Sequence, residues 1–517
     1  MRLALIQPPT NYVHASCLLE PIGLGYVGAA CRHAGHEVLL RDVIDPSRDA
    51  VSRLVADLDA FRPAVVGFST MTETHSNGVA LARLVKRRYG VPVVFGGWHV
   101  SGEPSAALDP AIDVVVRGEG EEAMVELLAA LGRGGGPGLH AIEGLAFRDA
   151  GGALVLTAQR RRLKKLTELP FPMRDGLPLE RYQFHQFLCT PVSRARTLSV
   201  QASRGCPYTC SFCQTPALWG AAWTRRTPSD VVDEIEMLVD RHAIDSLFFR
   251  DEEFTVRPTW VIEICDELVR RGLQRRLKWG AFCRADEMNE DLAHAMSAAG
   301  CVYGFLGLES GDTELRERIR KTYASEDAER ALSAMRAHGI LSHAGWIIGF
   351  PTDTRASLER SFRWFRRLPL DLLSIVFATP FGGTAFLDEV RAAGLLASED
   401  TDLYSTKEPV VNVPGIPLDE LRALPDRFLR RFYLRPSQAV RLASTVLRAP
   451  AARGSWPRCS RARCSRSGAS RSTGAAAPRC AASRSRSSSP RRRRRMDPEV
   501  TIEPATGDGT PVATIAA

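Results

Sequence analysis

The stretch from Ser203 to Cys213, SRGCPYTCSFC, places Cys206, Cys210 and Cys213 within eight residues, at spacings of four and three. It directly follows LSVQAS (198–203), a short run read as a strand. A structural zinc site takes four ligands, usually as two separated pairs. A four-iron cluster is held by Cys thiolates, usually four. Three cysteines in one tight loop leave one iron open to a non-protein ligand. Gly205-Cys206-Pro207 at the start of the loop turns the backbone so that successive sulfurs point inward. Lone cysteines are often inert core residues. That reading fits Cys31, Cys189, Cys265 and Cys301, which sit in apolar or helical contexts. It does not fit three cysteines on one loop.

Further strands follow the loop: SLFFRDE (246–252), KWGAFCR (278–284), VYGFLGLE (302–309), HAGWIIGF (343–350) and LLSIVFATP (372–380). Amphipathic helices are expected between them, at 228–242, 260–272, 290–300, 326–339 and 355–368. Six βα units over 196–385 predict a partial parallel barrel whose strand C-termini face one cavity. Residues 386–447 read as mostly helical and are expected to cap the barrel mouth.

SRGCPYTCSFCQTP resembles the cluster loop of the radical S-adenosylmethionine superfamily. The resemblance implies a [4Fe–4S] cluster on Cys206, Cys210 and Cys213. The fourth iron would bind S-adenosylmethionine and one electron would release a 5′-deoxyadenosyl radical. Phe212 matches the aromatic of the last gap. By the same resemblance Asp251, Glu252 and Glu253 end the second barrel strand, where a carboxylate suits the ammonium of S-adenosylmethionine. Arg284 could pair with a carboxylate. Glu309 lies in a cofactor-binding turn, GLESG. Ile347, between Gly345 and Gly349 in GWIIGFPTDT, borders adenine. This last motif departs from Gly-Phe-Pro-Gly-Glu-Thr at Thr352 and Asp353.

Residues 1–135 alternate short Val/Ile-rich runs (3–7, 37–43, 64–69, 91–97, 113–119) with helical patterns, as in a parallel sheet covered on both faces. Ligands of such sheets sit at the C-terminal strand ends. QPPT, EPIGLGYVGAACRHAGHEV, VVFGGWHV and VVVRGEGEEAMVELL resemble, in that order, the Rossmann-like cobalamin-binding domain fused to some radical S-adenosylmethionine barrels. The resemblance implies cobalamin contacts at Pro9, Ser69, Thr70, Met71, Gly96, Gly97, Trp98, Gly118, Glu119 and Gly120. A D-x-H-x-x-G motif is absent after the first strand. His14, His75 and His99 read as loop or rim residues, so cobalt is expected without a protein histidine. Residues 136–195, with a hairpin-like GLAFRDAGGALVLT and then LTELPFPMRD, read as a linker. RNA methylthiotransferases share the barrel but carry a second cysteine set, where this region has only Cys17 and Cys31.

The fold expected is therefore α/β: a Rossmann-like domain, a partial (β/α)6 barrel and a small helical C-terminal region. The formal charge of +9 arises in residues 451–496, which hold 14 Arg and neither Lys nor acid. This Ser/Arg/Ala segment, within 448–517, cannot build a core. It reads as a disordered or frameshifted extension, so nucleic acid is not an expected partner. No apolar run approaches a membrane span, and the N-terminus reads as a strand rather than a signal peptide. The twelve cysteines read as thiols or metal ligands in a cytoplasmic protein.

The resemblance extends to the subgroup holding the anaerobic magnesium-protoporphyrin IX monomethyl ester cyclase and radical methylases. It implies a small-molecule substrate and a low-potential donor such as flavodoxin or ferredoxin. Methyl transfer to an unactivated carbon or phosphorus is the favoured chemistry. Cyclisation is the runner-up, and a non-catalytic iron–sulfur or cobalamin sensor stands as the alternative of another class.

Overall fold

A computed structural model describes residues 1–10, 17–134, 136–184 and 196–448. His14, Cys189 and the basic segment lie outside the described residues.

The N-terminal sheet contains β1 (Arg2–Gln7), β2 (Glu37–Asp42), β3 (Val65–Ser69), β4 (Val93–Gly96) and β5 (Val114–Val116), all parallel, in the order β2-β1-β3-β4-β5. Leu3, Ala4, Leu5 and Ile6 of β1 are buried, as expected of a central strand covered on both faces. Helices α1 (Ile22–His33), α2 (Arg48–Phe61), α3 (His75–Tyr89) and α4 (Glu121–Gly132) provide the cover. The hairpin expected in the linker forms as β6 (Leu145–Arg148) and β7 (Leu154–Leu156). It extends this sheet antiparallel to β5, because Leu145, Ala146 and Phe147 are apolar enough to be buried there.

The second sheet runs β8 (Thr197–Val200), β9 (Ser246–Phe249), β10 (Lys278–Cys283), β11 (Cys301–Glu309), β12 (Leu341–Ile348) and β13 (Leu372–Phe377), parallel and in sequential order. Its outer helices bury one stripe each. In α5 (Pro228–His242) the stripe is Val231, Val232, Ile235, Leu238 and Val239, and the Thr227 hydroxyl caps the N-terminus by accepting from Asp230 N.

The C-terminal helices do not cover the barrel mouth. The helix Leu418–Tyr433 packs Phe428 on Trp346 and Phe362, on the outer side of the barrel. Its Tyr433 hydroxyl pairs with Leu373 N and O at the exposed edge of β13. The segment at the mouth is the loop 401–406, which also reaches the first domain through the Ser76–Asp402 hydrogen bond.

The two domains share buried charges. Arg174 of the LPFPMRD stretch pairs with Glu20 (3.4 Å) and Glu234 (3.0 Å) and donates to Ser199 O (2.6 Å). Glu20 in turn accepts from Ser199 N at 2.6 Å. The connecting segment is thus built into the interface.

Candidate active site between the two domains

The chain places β2 and β3 on opposite sides of β1, so a crevice opens at the C-terminal ends of β1 and β3. A cleft with about 1240 Å³ of empty space, open to solvent, lies there. Ser69, Met71, Gly96, Gly97, Trp98, Gly118, Glu119 and Gly120 line it. Pro9 and Thr70 do not, and both are buried. The Pro9 carbonyl accepts from Asn77, and Thr70 N donates to Gly96 O. Gly97 is at φ 99° and a Cβ there would stand 2.6 Å from Thr70 O, so only glycine fits and the cleft floor stays bare backbone. Such a floor suits a large flat ligand such as a corrin. His75 and His99 stack on one another at 4.0 Å and are absent from the cleft wall. His99 is buried rather than on the rim, with Nδ1 3.2 Å from Thr72 Oγ1, and burial pushes its pKa down to about 3.

The cysteine loop is closed at its base by an antiparallel pair, Ser203–Arg204 with Thr224–Arg225. Cys206, Cys210 and Cys213 are free, Cys210 buried and the others partly so. Burial, with Glu253 nearby, pushes the Cys206 thiol up to about 12, and burial raises Cys210 as well. Thiols so placed are poor nucleophiles, and a cationic metal centre is what would hold them as thiolates. Among the described residues no three such groups converge on a single-ion site. Three cysteines on one loop supply three of the four thiolates that a four-iron cluster takes, so the donor set fits a cluster with one iron open.

The acids after β9 point in three directions. Asp251 is fully buried and accepts from Ala202 N (3.1 Å) and Ser203 Oγ (2.5 Å). Glu252 accepts from Gly205 N and from Trp219 Nε1, both at 2.9 Å. It links the residue before Cys206 to the wall of the cleft. Glu253 accepts from Thr255, and burial raises its pKa to about 7. Glu309 is a non-glycine residue at φ 60°, beside a break in strand register, and pairs with Lys321 at 3.4 Å. Burial opposes the Lys321 charge, but Glu309 and Cys210 outweigh it and keep its pKa high. Arg284 pairs with Asp286 at 2.6 Å and stacks 3.6 Å over the Tyr208 ring.

A second cavity fills the barrel mouth, with Phe212, Cys213 and Ile347 in its wall. Phe212 meets Phe350 edge-on at 6.2 Å. Met71, Trp98 and Arg250 line both cavities, so the cleft and the mouth adjoin. Asp353 accepts from Gly349 N (2.8 Å) and Phe350 N (3.0 Å), so the acid of the departing motif shapes the turn after β12.

Sequence reading did not single out Arg204, Lys321 or Arg250. Arg204 is buried, donating to Glu119 (3.2 Å) and Glu121 (2.5 Å) of the first domain. Its position inside the quoted loop was a usable signal. Lys321 reaches the cysteines only through the fold.

Residues 13–128 match the family described as B12 binding domain, and residues 200–365 match the Radical SAM superfamily. The barrel is a radical SAM domain. This radical SAM enzyme also carries a B12-binding domain, so its cofactors are S-adenosylmethionine with a [4Fe–4S] cluster, and cobalamin. It is 28% identical over 449 residues to an uncharacterized methyltransferase of Pyrococcus horikoshii, covering 85% of this chain and 94% of that one. It is 29% identical over 449 residues to the anaerobic magnesium-protoporphyrin IX monomethyl ester cyclase of Cereibacter sphaeroides, covering 84% and 71%. Its fold resembles the radical S-adenosylmethionine methyltransferase TsrM of Kitasatospora setae, solved with cobalamin and a [4Fe–4S] cluster. The TM-score is 0.66 at 21% identity, over 86% of this chain and 88% of that one. Among the described residues no helix is long and apolar enough to cross a membrane.

Proposed function

We propose that this radical SAM enzyme transfers a methyl group to an unactivated carbon or phosphorus of a small molecule. The observation that carries the reading is the shared wall: Met71, Trp98 and Arg250 belong to both the B12-domain cleft and the barrel mouth. Two separate reactions would need no common wall, whereas a group passed from one cofactor to a substrate beside the other does. The likeness over most of its length to a protein named as a methyltransferase supports the same reading.

When bound, the cluster and S-adenosylmethionine supply one-electron cleavage of a sulfonium, and cobalamin supplies a transferable methyl group. The residues of the chain hold, orient and shield. Cys206, Cys210 and Cys213 would ligate the cluster. Phe212 and Ile347 would flank the adenosyl group, and Glu253 would take its ammonium end. Glu252 fixes the loop through Gly205 and the cleft through Trp219. Phe381 and Tyr404 line the mouth and would shield it from water. A flavodoxin or ferredoxin would deliver the electron, in the cytoplasm.

The test is S-adenosylmethionine bearing a CD3 group, supplied to the reconstituted enzyme with candidate substrates. A product heavier by one CD3 supports methyl transfer. Substrate conversion without label would favour cyclisation, the reading that the likeness to the cyclase supports.

A further inference from the structure

The barrel mouth carries polar features to which no cofactor role has been assigned above. Its wall is largely apolar, with Ile347, Phe377 and Phe381 among its residues. Arg250, just past the end of β9, projects where the mouth meets the cleft. Its guanidinium is exposed, and among the described residues it makes no hydrogen bond or ion pair. Nearly every other arginine near the interface is paired, Arg204 and Arg174 with two carboxylates each. Glu73 is the acid of this wall, and it interacts with Lys407.

A second feature points to the same space. Ser405 lines the mouth, is 6% exposed, and its Oγ has no hydrogen-bond partner. Buried hydroxyls are normally satisfied, and this one sits in the loop that forms part of the cavity wall. The next residue, Thr406, is held at φ 61°, a conformation that non-glycine residues rarely adopt. Its carbonyl accepts from Phe377 N at 2.8 Å, which fixes the loop over the cavity. Backbone strain of this kind persists where surrounding structure enforces it, commonly at ligand clamps.

We infer that the substrate is an amphiphilic anion. Its apolar body lies against the aromatic wall, its carboxylate or phosphate end pairs with Arg250, and Ser405 donates a hydrogen bond to a polar atom on the body. A planar guanidinium with free donors binds either oxyanion through two parallel hydrogen bonds. The apolar wall accounts for the rest of the recognition. The assignment rests on the reading of the mouth as the substrate site for methyl transfer.

The experiment is calorimetric titration of the enzyme holding its cluster, cobalamin and S-adenosylmethionine. The probes are 2-naphthoate, 2-naphthyl phosphate, methyl 2-naphthoate and 2-naphthamide. At least one anion is expected to bind ten-fold or more tightly than both neutral probes, and the preferred anion tells carboxylate from phosphate. Arg250→Gln should remove that preference and Arg250→Lys should keep part of it. Ser405→Ala should leave the charge preference intact. Equal binding of all four probes, binding of none, or a preference that survives Arg250→Gln would overturn the inference. Methyl transfer is read separately through its products, so a failure of the chemistry and a failure of the anion site are distinguishable.

Discussion

Arg204 donates Nη2 to Glu121 Oε1 at 2.5 Å, joining the residue two before the first loop cysteine to the helix that follows the Gly-Glu-Gly turn of the first domain. Glu119 takes the other arm of the same guanidinium. The three side chains are buried. Arg204→Ala would leave two buried carboxylates without their cationic partner, a loss of about 3–5 kcal/mol. The variant should melt well below the parent in a thermal scan. Adding Glu121→Gln should lower the melting temperature by less than the sum of the single changes, because the charges act as one unit.

Cys206→Ala, Cys210→Ala and Cys213→Ala should each abolish cluster assembly and all S-adenosylmethionine cleavage. Iron analysis and 5′-deoxyadenosine assay check this. Cys283→Ala and Cys301→Ala, at buried strand positions, should cost roughly 0.5–3 kcal/mol and leave the iron content unchanged. Retained cleavage in any loop variant contradicts the ligand assignment.

Gly97→Ala forces a side chain into a backbone conformation it rarely adopts and against Thr70 O. The strain is about 1–3 kcal/mol. If binding must carry about 1.4 kcal/mol of it, cobalamin affinity falls about tenfold. Retention of cobalamin through gel filtration measures this. A parent-like affinity would mean that the corrin does not rest on this floor.

Asp353 gives a pH dependence of stability. Burial raises its pKa from 3.8 to about 7, only partly offset by Gly349 N and Phe350 N. The folded state therefore binds the proton more readily than the unfolded chain. This group's contribution falls as pH rises from about 4 to about 7 and is level above that, by an amount on the order of a few kcal/mol. Asp353→Asn can still accept both N–H groups but does not titrate. Melting curves across pH 4–8 should be flatter for the variant than for the parent.

Strand positions were legible because Val/Ile runs and amphipathic stripes carry their own period, and the cysteine loop because its spacing is local. The order of the barrel strands followed from the repeated βα unit. The partners of Asp251, Glu252 and Arg204 were not legible, since strand-end acids look alike until the fold decides which face backbone N–H groups and which face a cavity. Residues 386–447 were expected over the mouth, and of these only part lies there. The apolar stripe of Leu418–Tyr433 says only that it is covered, and the fold sets it against Trp346 on the outer side of the barrel. The mouth went to the loop 401–406, whose Ser405 and Thr406 have no distinguishing pattern in sequence.

The most direct test of the central claim is product counting in the anaerobic enzyme reconstituted with iron, sulfide and hydroxocobalamin, given a low-potential reductant, S-adenosylmethionine and substrate. The account predicts 5′-deoxyadenosine and S-adenosylhomocysteine in equal, substrate-dependent amounts. 5′-Deoxyadenosine formed with substrate and without S-adenosylhomocysteine would contradict methyl transfer.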